Sequence, residues 1–319
     1  MQATLIAPHS KDLGGGFTVR RLLPSAQRRS VGPFVFFDHF GPVDAGPHDD
    51  HDVRPHPHIG LATVTYLYEG AMAHRDSLGT VQRIEPGAIN WMSAGRGIVH
   101  SERTPDDLRG VARRSHGLQL WVALPAALEE GPPSFAHTPA RDIPERVLDG
   151  VRVRVLVGHA FGRASPVPTA SPTLYLDLLL APGATLDLPA LAAEQALYGV
   201  DQGFEIDAGP VAAFTLAVLP DGAAVRLHAP HGARIAVVGG APLGPRFMRW
   251  NFVSSRRERI VQAEADWLAL TTSGTTAGTT AGQTGRGFDP VPGETDFIPL
   301  PARPGMASPA ATPTPDAAA

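Results

Sequence analysis

Short apolar runs, broken by glycine and proline, recur along the chain up to about residue 250. Residues 34–37, 63–68, 89–92, 117–123, 151–157, 175–180, 214–219, 223–227 and 234–238 are such runs. Each is too short for an independent helix and the right length for a strand between turns. Several alternate. Val151-Arg-Val-Arg-Val155 sets three valines on one face and two arginines on the other, because successive side chains of a strand point to opposite sides. Others, such as residues 178–180, are apolar on both faces, which suits a layer packed on both sides.

The pattern changes period near the end of this region. Ser255-Arg-Arg-Glu258 has the hydroxyl and carboxylate of a capping box, and Ile260, Ala263, Glu264 and Trp267 follow at helical spacing. The apolar members then share one side, so a helix is predicted over 253–269, docked on a β domain. A second, short helix is predicted over 124–130. Residues 270–288 are rich in Thr and Gly and read as a flexible linker. Residues 302–319 are Pro/Ala-rich and read as a disordered tail. Between them, 289–301 carries Phe297, Ile298 and Leu300 and is predicted to dock back. The strand-rich part divides near residues 140–150, giving two expected tandem β-sandwich domains, 1–140 and 141–252.

Composition narrows the possible functions. A chain of 319 residues has room for two cores, and 43% hydrophobic with 18% charged residues excludes wholesale disorder. A formal net charge of −4 offers no basic excess for a phosphate backbone, so direct nucleic-acid binding is not expected. The longest apolar runs are too short to span a bilayer. No basic segment followed by an apolar stretch opens the chain, so no signal peptide is visible and a cytoplasmic protein is expected. There is no cysteine, which excludes disulfides, thiolate metal sites, iron–sulfur clusters and thiol catalysis. A metal site must therefore draw on His, Asp and Glu. Of 13 histidines, eight lie between His39 and His116.

Two short motifs concentrate that chemistry. In Arg54-Pro-His56-Pro-His58 the histidines stand two apart, so in a strand both imidazoles point the same way. His100 and Glu102 repeat the spacing after a turn that Gly95 and Gly97 favour. Two such pairs on facing strands would make a pocket of three imidazoles and one carboxylate. That donor set has no soft ligand and suits Fe(II), Mn(II), Ni(II), Cu(II) or Zn(II). On an octahedral ion it leaves two adjacent positions for water, substrate or O2; a closed tetrahedral zinc would be structural instead. Other groups are less telling. His228 and His231 read as surface histidines, and His48 and His51 as part of a solvated loop. His74-Arg-Asp76 either orients a ligand from behind or pairs at the surface, and Arg96 either meets an anion or shapes a turn. Phe36, Val64, Tyr66 and Trp91 are assigned inward positions, lining a pocket for a planar aromatic.

Together these residues carry a resemblance. Phe34-Val-Phe-Phe-Asp38-His39-Phe40, His56-Pro-His58, Thr63-Val-Thr-Tyr66, His74-Arg-Asp-Ser77, Trp91-Met-Ser-Ala-Gly-Arg-Gly97, His100-Ser-Glu102 and His116-Gly-Leu-Gln-Leu-Trp-Val122 resemble the pirin family of the cupin superfamily. The likeness is specific from Gly14 to Val122. It continues more loosely through Gly239-Gly-Ala-Pro-Leu-Gly244, Trp250-Asn-Phe-Val-Ser-Ser255 and Phe297-Ile-Pro-Leu-Pro301. It implies an all-β bicupin: two tandem cupin (jelly-roll-like) β-barrel domains with a C-terminal helix and a metal in the first domain only. Matched by motif, the metal ligands are His56, His58, His100 and Glu102, with Fe(II) as the usual metal. The resemblance further implies either a quercetin 2,3-dioxygenase-type enzyme or an iron-binding, redox-responsive regulator. The enzyme would act on a flavonol-like aromatic and O2, with Glu102 as a general base; the regulator would act through a protein partner. A general cupin carries a glutamate soon after its His-x-His pair; Ala62 and Thr63 stand there, and Glu102 supplies the carboxylate, as in pirins. The insertion over 271–287 departs from the family pattern.

Overall fold

The apolar runs form strands, and their pairing builds two main sheets in each half of the chain. A computed structural model describes residues 2–13, 17–49, 51–272 and 287–303. Most of the expected linker and tail therefore lies outside the described residues. In the first half, a seven-stranded antiparallel sheet is ordered Ser134–Thr138, Ile89–Ser93, Leu61–Glu69, Arg113–Ala123, Phe34–Ala45, Thr18–Leu23 and His9–Asp12. Against it lies a four-stranded sheet of Val53–His58, Ile98–Arg103, Met72–Asp76 and Val81–Ile84. The second half repeats the plan: Thr173–Leu180 and Ala233–Gly240 sit centrally in a seven-stranded sheet, and Val225–Ala229 lies in a four-stranded one. These are two cupin domains in tandem.

Residues Thr4–Ile6, which the sequence places with the first domain, pair with Leu216–Val218 and extend the large sheet of the second. The two large sheets pack face to face. Val64, Tyr66, Trp91, Leu118 and Leu120 from one share a core with Tyr175, Tyr198, Ala236 and Val238 from the other. This corrects the inward assignment of Val64, Tyr66 and Trp91, which face the neighbouring domain instead of the first domain's interior. Residues 61–68 are buried on both faces, so hydrophobicity alone carries no phase for the alternation.

The interior of the second domain is filled. Val151, Val153, Val155, Leu176, Leu178, Leu186, Leu227 and Ile235 belong to one apolar cluster. The three valines of the alternating run share this face, as expected. Leu179 points outward and is 38% exposed, so residues 178–180 are covered on one side only.

The C-terminal helix, Arg257–Thr272, buries Ile260, Ala263, Glu264 and Trp267. These are the positions that the helical spacing picked out. Its N-terminus differs from the expected capping box. The Ser255 hydroxyl and N–H both donate to the buried Glu129 carboxylate, and Arg256 N–H donates to Ser254 Oγ. Glu129 lies in residues 124–130, which form a run of turns where a helix was predicted. Phe288 and Val291 pack with Trp267, Phe252, Ile59 and Val99, while Phe297, the largest apolar side chain of the predicted docking segment, stays 36% exposed. No helix among the described residues is long and apolar enough to cross a membrane.

Candidate metal centre

Val53–His58 and Ile98–Arg103 pair antiparallel, with His56 opposite His100 and His58 opposite Ile98. That register and the two-residue spacing bring three imidazoles together. Ligand atoms of His56, His58 and His100 lie within 4.8 Å of one another, and all three side chains are buried. Gly60 lets the chain turn directly after His58. Its φ is +67°, and a Cβ there would meet the Val253 carbonyl oxygen at 2.0 Å, so only glycine fits.

Hydrogen bonding fixes which nitrogen of each ring is free. A carbonyl only accepts, so His56 donates Nδ1–H to Arg54 O at 2.9 Å and His58 donates Nδ1–H to Asn251 O at 3.2 Å. Behind His100 stands His74, with its Nδ1 3.3 Å from His100 Nδ1 and its Nε2 3.0 Å from Asp76 Oδ2. Asp76 Oδ1 accepts the N–H groups of Leu78 and Thr80. Burial alone would raise the Asp76 carboxyl, but the bonds from His74 and Thr80 outweigh it and hold it below its ordinary value. The carboxylate accepts a hydrogen bond from His74 Nε2–H, so His74 Nδ1 accepts in turn and His100 Nδ1–H donates. Every Nε2 in the cluster is then a lone pair.

The three rings are also held uncharged. Burial is the main cause: it lowers His56 to about 4 and drives His58 and His100 well below the ordinary histidine value, with repulsion among neighbouring histidines adding to it. Neutral imidazole is the metal-binding form. His58 Nε2 and His100 Nε2 stand 3.1 Å apart. Two lone pairs that close repel unless a cation lies between them, so the donor set fits a divalent metal. Trp121 meets His58 edge-on at 5.2 Å and stacks on Phe36 at 3.9 Å. Of the predicted lining, Phe36 packs toward this site, through Trp121.

Glu102 is buried but does not belong to the 4.8 Å cluster. The pairing of its strand with Val53–His58 slips between His100 and Glu102, leaving Glu102 opposite Val53. The extra residue of this bulge lies in Val53–His58, because His100 and Glu102 keep regular step opposite Asp76 and His74. Burial pushes the carboxyl up to about 7, with the Thr65 hydroxyl partly offsetting it. Glu102 also lines a cavity of about 30 Å3 shared with Phe17, His51, Leu67, Met72, Arg103 and Ser115. His51 is half-buried there and stacks on Phe17 at 4.9 Å, in contrast to the solvated loop position expected for it, whereas His48 is exposed.

The remaining candidates lie elsewhere. His228 pairs with Glu205 at 2.8 Å, and His231 is exposed. Arg96 is exposed and acts through its backbone, which bonds Gly131 and Arg259. His39 is buried between the domains, with Nδ1 2.7 Å from Tyr198 Oη and Nε2 2.8 Å from His116 Nε2. The motif reading left the role of His74-Arg-Asp76 open and missed the backbone carbonyl of Asn251. Asn251 is far from His58 in sequence, and no spacing rule connects them.

Two cupin domains, one with a buried cluster of three free imidazole nitrogens and one filled with aliphatic side chains, define a bicupin with a single candidate metal centre among the described residues. A family model described as pirin matches residues 16–122, and one described as the pirin C-terminal cupin domain matches residues 175–272. A pirin-like protein of Caulobacter vibrioides is 47% identical over 263 residues, 81% of this chain and 90% of the relative. The crystal structure of a quercetin 2,3-dioxygenase from Acinetobacter baumannii superposes with a TM-score of 0.84 at 30% identity, covering 96% of this chain and 97% of that one. The chain belongs to the pirin family.

Proposed function

We propose that this protein is a metal-dependent dioxygenase that opens a flavonol such as quercetin with O2, and that His56, His58, His100 and Glu102 hold the metal. The observation that carries the reading is the convergence of three neutral, tautomer-fixed imidazoles in a buried site. The likeness to the Acinetobacter quercetin 2,3-dioxygenase supports the substrate class. A divalent ion there, Fe(II) foremost and Mn, Ni, Cu or Zn as alternatives, would supply positive charge that favours a bound phenolate over a phenol. The protein's own groups do the rest. Glu102, whose buried carboxyl lies near 7 without a cation beside it, takes the proton of the flavonol 3-hydroxyl as general base. Trp121 covers His58 edge-on, and Phe36 stacks on Trp121, so apolar rings shield that side of the site from water.

One observation favours a second reading, a metal-responsive regulator acting through a protein partner. The cavity touching Glu102 measures about 30 Å3, room for a water or two and far short of a flavonol. Anaerobic mixing of metal-loaded protein with quercetin, followed by O2, separates the two. Loss of flavonol absorbance with release of carbon monoxide supports the enzyme. Binding without turnover under iron, manganese, nickel and copper loading alike supports the regulator.

A further inference from the structure

The strands that carry the histidines have two faces, and the second face is covered by a distant part of the chain. His100 and Glu102 flank Ser101, whose side chain is buried on the opposite side of the strand. The Ser101 hydroxyl donates to Glu294 Oε1, and Arg103, the next residue after Glu102, donates from Nε and Nη2 to Glu294 Oε2. Arg103 Nη2 also meets Asp296 Oδ1 at 2.7 Å. One carboxylate, its side chain only 8% exposed, thus grips the side chains on both sides of Glu102.

The same segment reaches the other histidine strand. Ile298 N–H donates to the carbonyl of Pro55, the residue before His56, at 2.8 Å. Upstream, Phe288 lies so close to Gly97 that a Cβ there would stand 3.0 Å from its ring. Gly97 immediately precedes the strand of His100. Trp267 of the C-terminal helix anchors the segment by donating Nε1–H to Ile298 O at 3.1 Å. The segment therefore touches the residue beside each histidine pair and ties both strands to the helix.

We infer that residues 288–300 form a clamp on the back of the histidine sheet, and that Glu294 is its positioning residue, setting how tightly the centre holds a metal. Ligand geometry is preserved only when the strands cannot slide or splay, and the bulge between His100 and Glu102 is a local weak point in their pairing. The Glu294 carboxylate locks the Ile98–Arg103 strand from behind, while the Ile298 bond to Pro55 locks the bulged partner strand. This inference rests on the reading of His56, His58 and His100 as ligands.

The test uses Co(II) as the probe and the full chain, at a temperature where each metal-free variant is folded by circular dichroism. Glu294→Gln keeps the shape and removes the charge that Ser101 and Arg103 address. Its Co(II) affinity, measured by chelator competition, should fall roughly tenfold, the scale seen when supporting hydrogen bonds behind metal ligands are lost. The visible absorption of the bound Co(II) should change with it, and Glu294→Asp should restore part of both. Ser101→Ala should move affinity in the same direction by less, and it carries the test should Glu294→Gln fail to fold. Wild-type affinity and spectrum in these variants, with Co(II) binding lost in His56→Ala, would overturn the clamp. Retention of Co(II) by His56→Ala would overturn the ligand assignment beneath it.

Discussion

His74 stands directly behind His100, the two Nδ1 atoms 3.3 Å apart, and passes that contact on to the Asp76 carboxylate at 3.0 Å. The free Nε2 of His100 is thereby fixed by a residue outside the three-imidazole cluster. His74→Leu removes the acceptor but no ligand. Metal affinity should drop by about 10–100-fold, read by chelator competition with the same metal on wild type and variant.

Metal content should report the cluster residue by residue. His56→Ala or His100→Ala removes one of three converging imidazoles and should abolish retention of metal through gel filtration. His228→Ala and His231→Ala, which change a half-exposed ion pair and an exposed ring, should leave it at one metal per chain. Two metals per chain, or unchanged content in His56→Ala, would contradict a single centre in the first domain.

Glu102→Gln separates base from shape. The amide occupies the same space but cannot accept the 3-hydroxyl proton. Flavonol turnover should fall by about 10²–10⁴-fold, the usual contribution of a general base, while the flavonol dissociation constant measured anaerobically changes far less. Equal losses in both would assign Glu102 to binding alone.

Acidification should loosen the contact between the domains. Burial, aided by His116 and Arg20, lowers His39 to about 3, whereas an unfolded histidine titrates near ~6.5. Between those values the unfolded chain binds the extra proton, so unfolding becomes easier as pH falls. The contribution is complete above pH ~6.5 and declines by at most ~1.4 kcal/mol per pH unit down to about 3. Denaturant melts between pH 7 and 5 should show a shallower pH dependence for His39→Phe than for wild type.

The helix should matter for the fold as a whole. Trp267 is 1% exposed and sits among Ile59, Val99, Phe252 and Phe288. Trp267→Ala should cost about 3–5 kcal/mol, and truncation after Ser254 more, by equilibrium unfolding. A shift within ±0.5 kcal/mol for Trp267→Ala, the scale of a surface change, would mean that the helix is not part of the cooperative unit.

Much of this was legible because strands and metal sites are both periodic. The His-x-His pair survived into three dimensions, since two residues along a regular strand return to the same side, and Ile260, Ala263 and Trp267 shared a helical face for the corresponding reason. Phase was harder. Leu61–Glu69 is buried on both faces, and the large apolar Val64 and Tyr66 turned toward the other domain, leaving the smaller, more polar Thr65 toward Glu102. Glu102 shows the other limit. A bulge in Val53–His58, which no local pattern announces, sets it opposite Val53 although it keeps step with His100 along its own strand. Partners brought by tertiary register, such as Asn251 for His58 and Glu129 for Ser255, left no trace in spacing.

The crossing of the two domains by distant parts of the chain has a consequence for timing. Thr4–Ile6 completes a sheet whose partner strand, Leu216–Val218, is made much later, and the back of the histidine sheet is closed by residues beyond 287. During synthesis the first domain leaves the ribosome with its outer surface bare and with its leading strand lacking an edge to join. Support of the histidine strands thus waits until residues 288–300 have been made, and a product truncated before them would lack it.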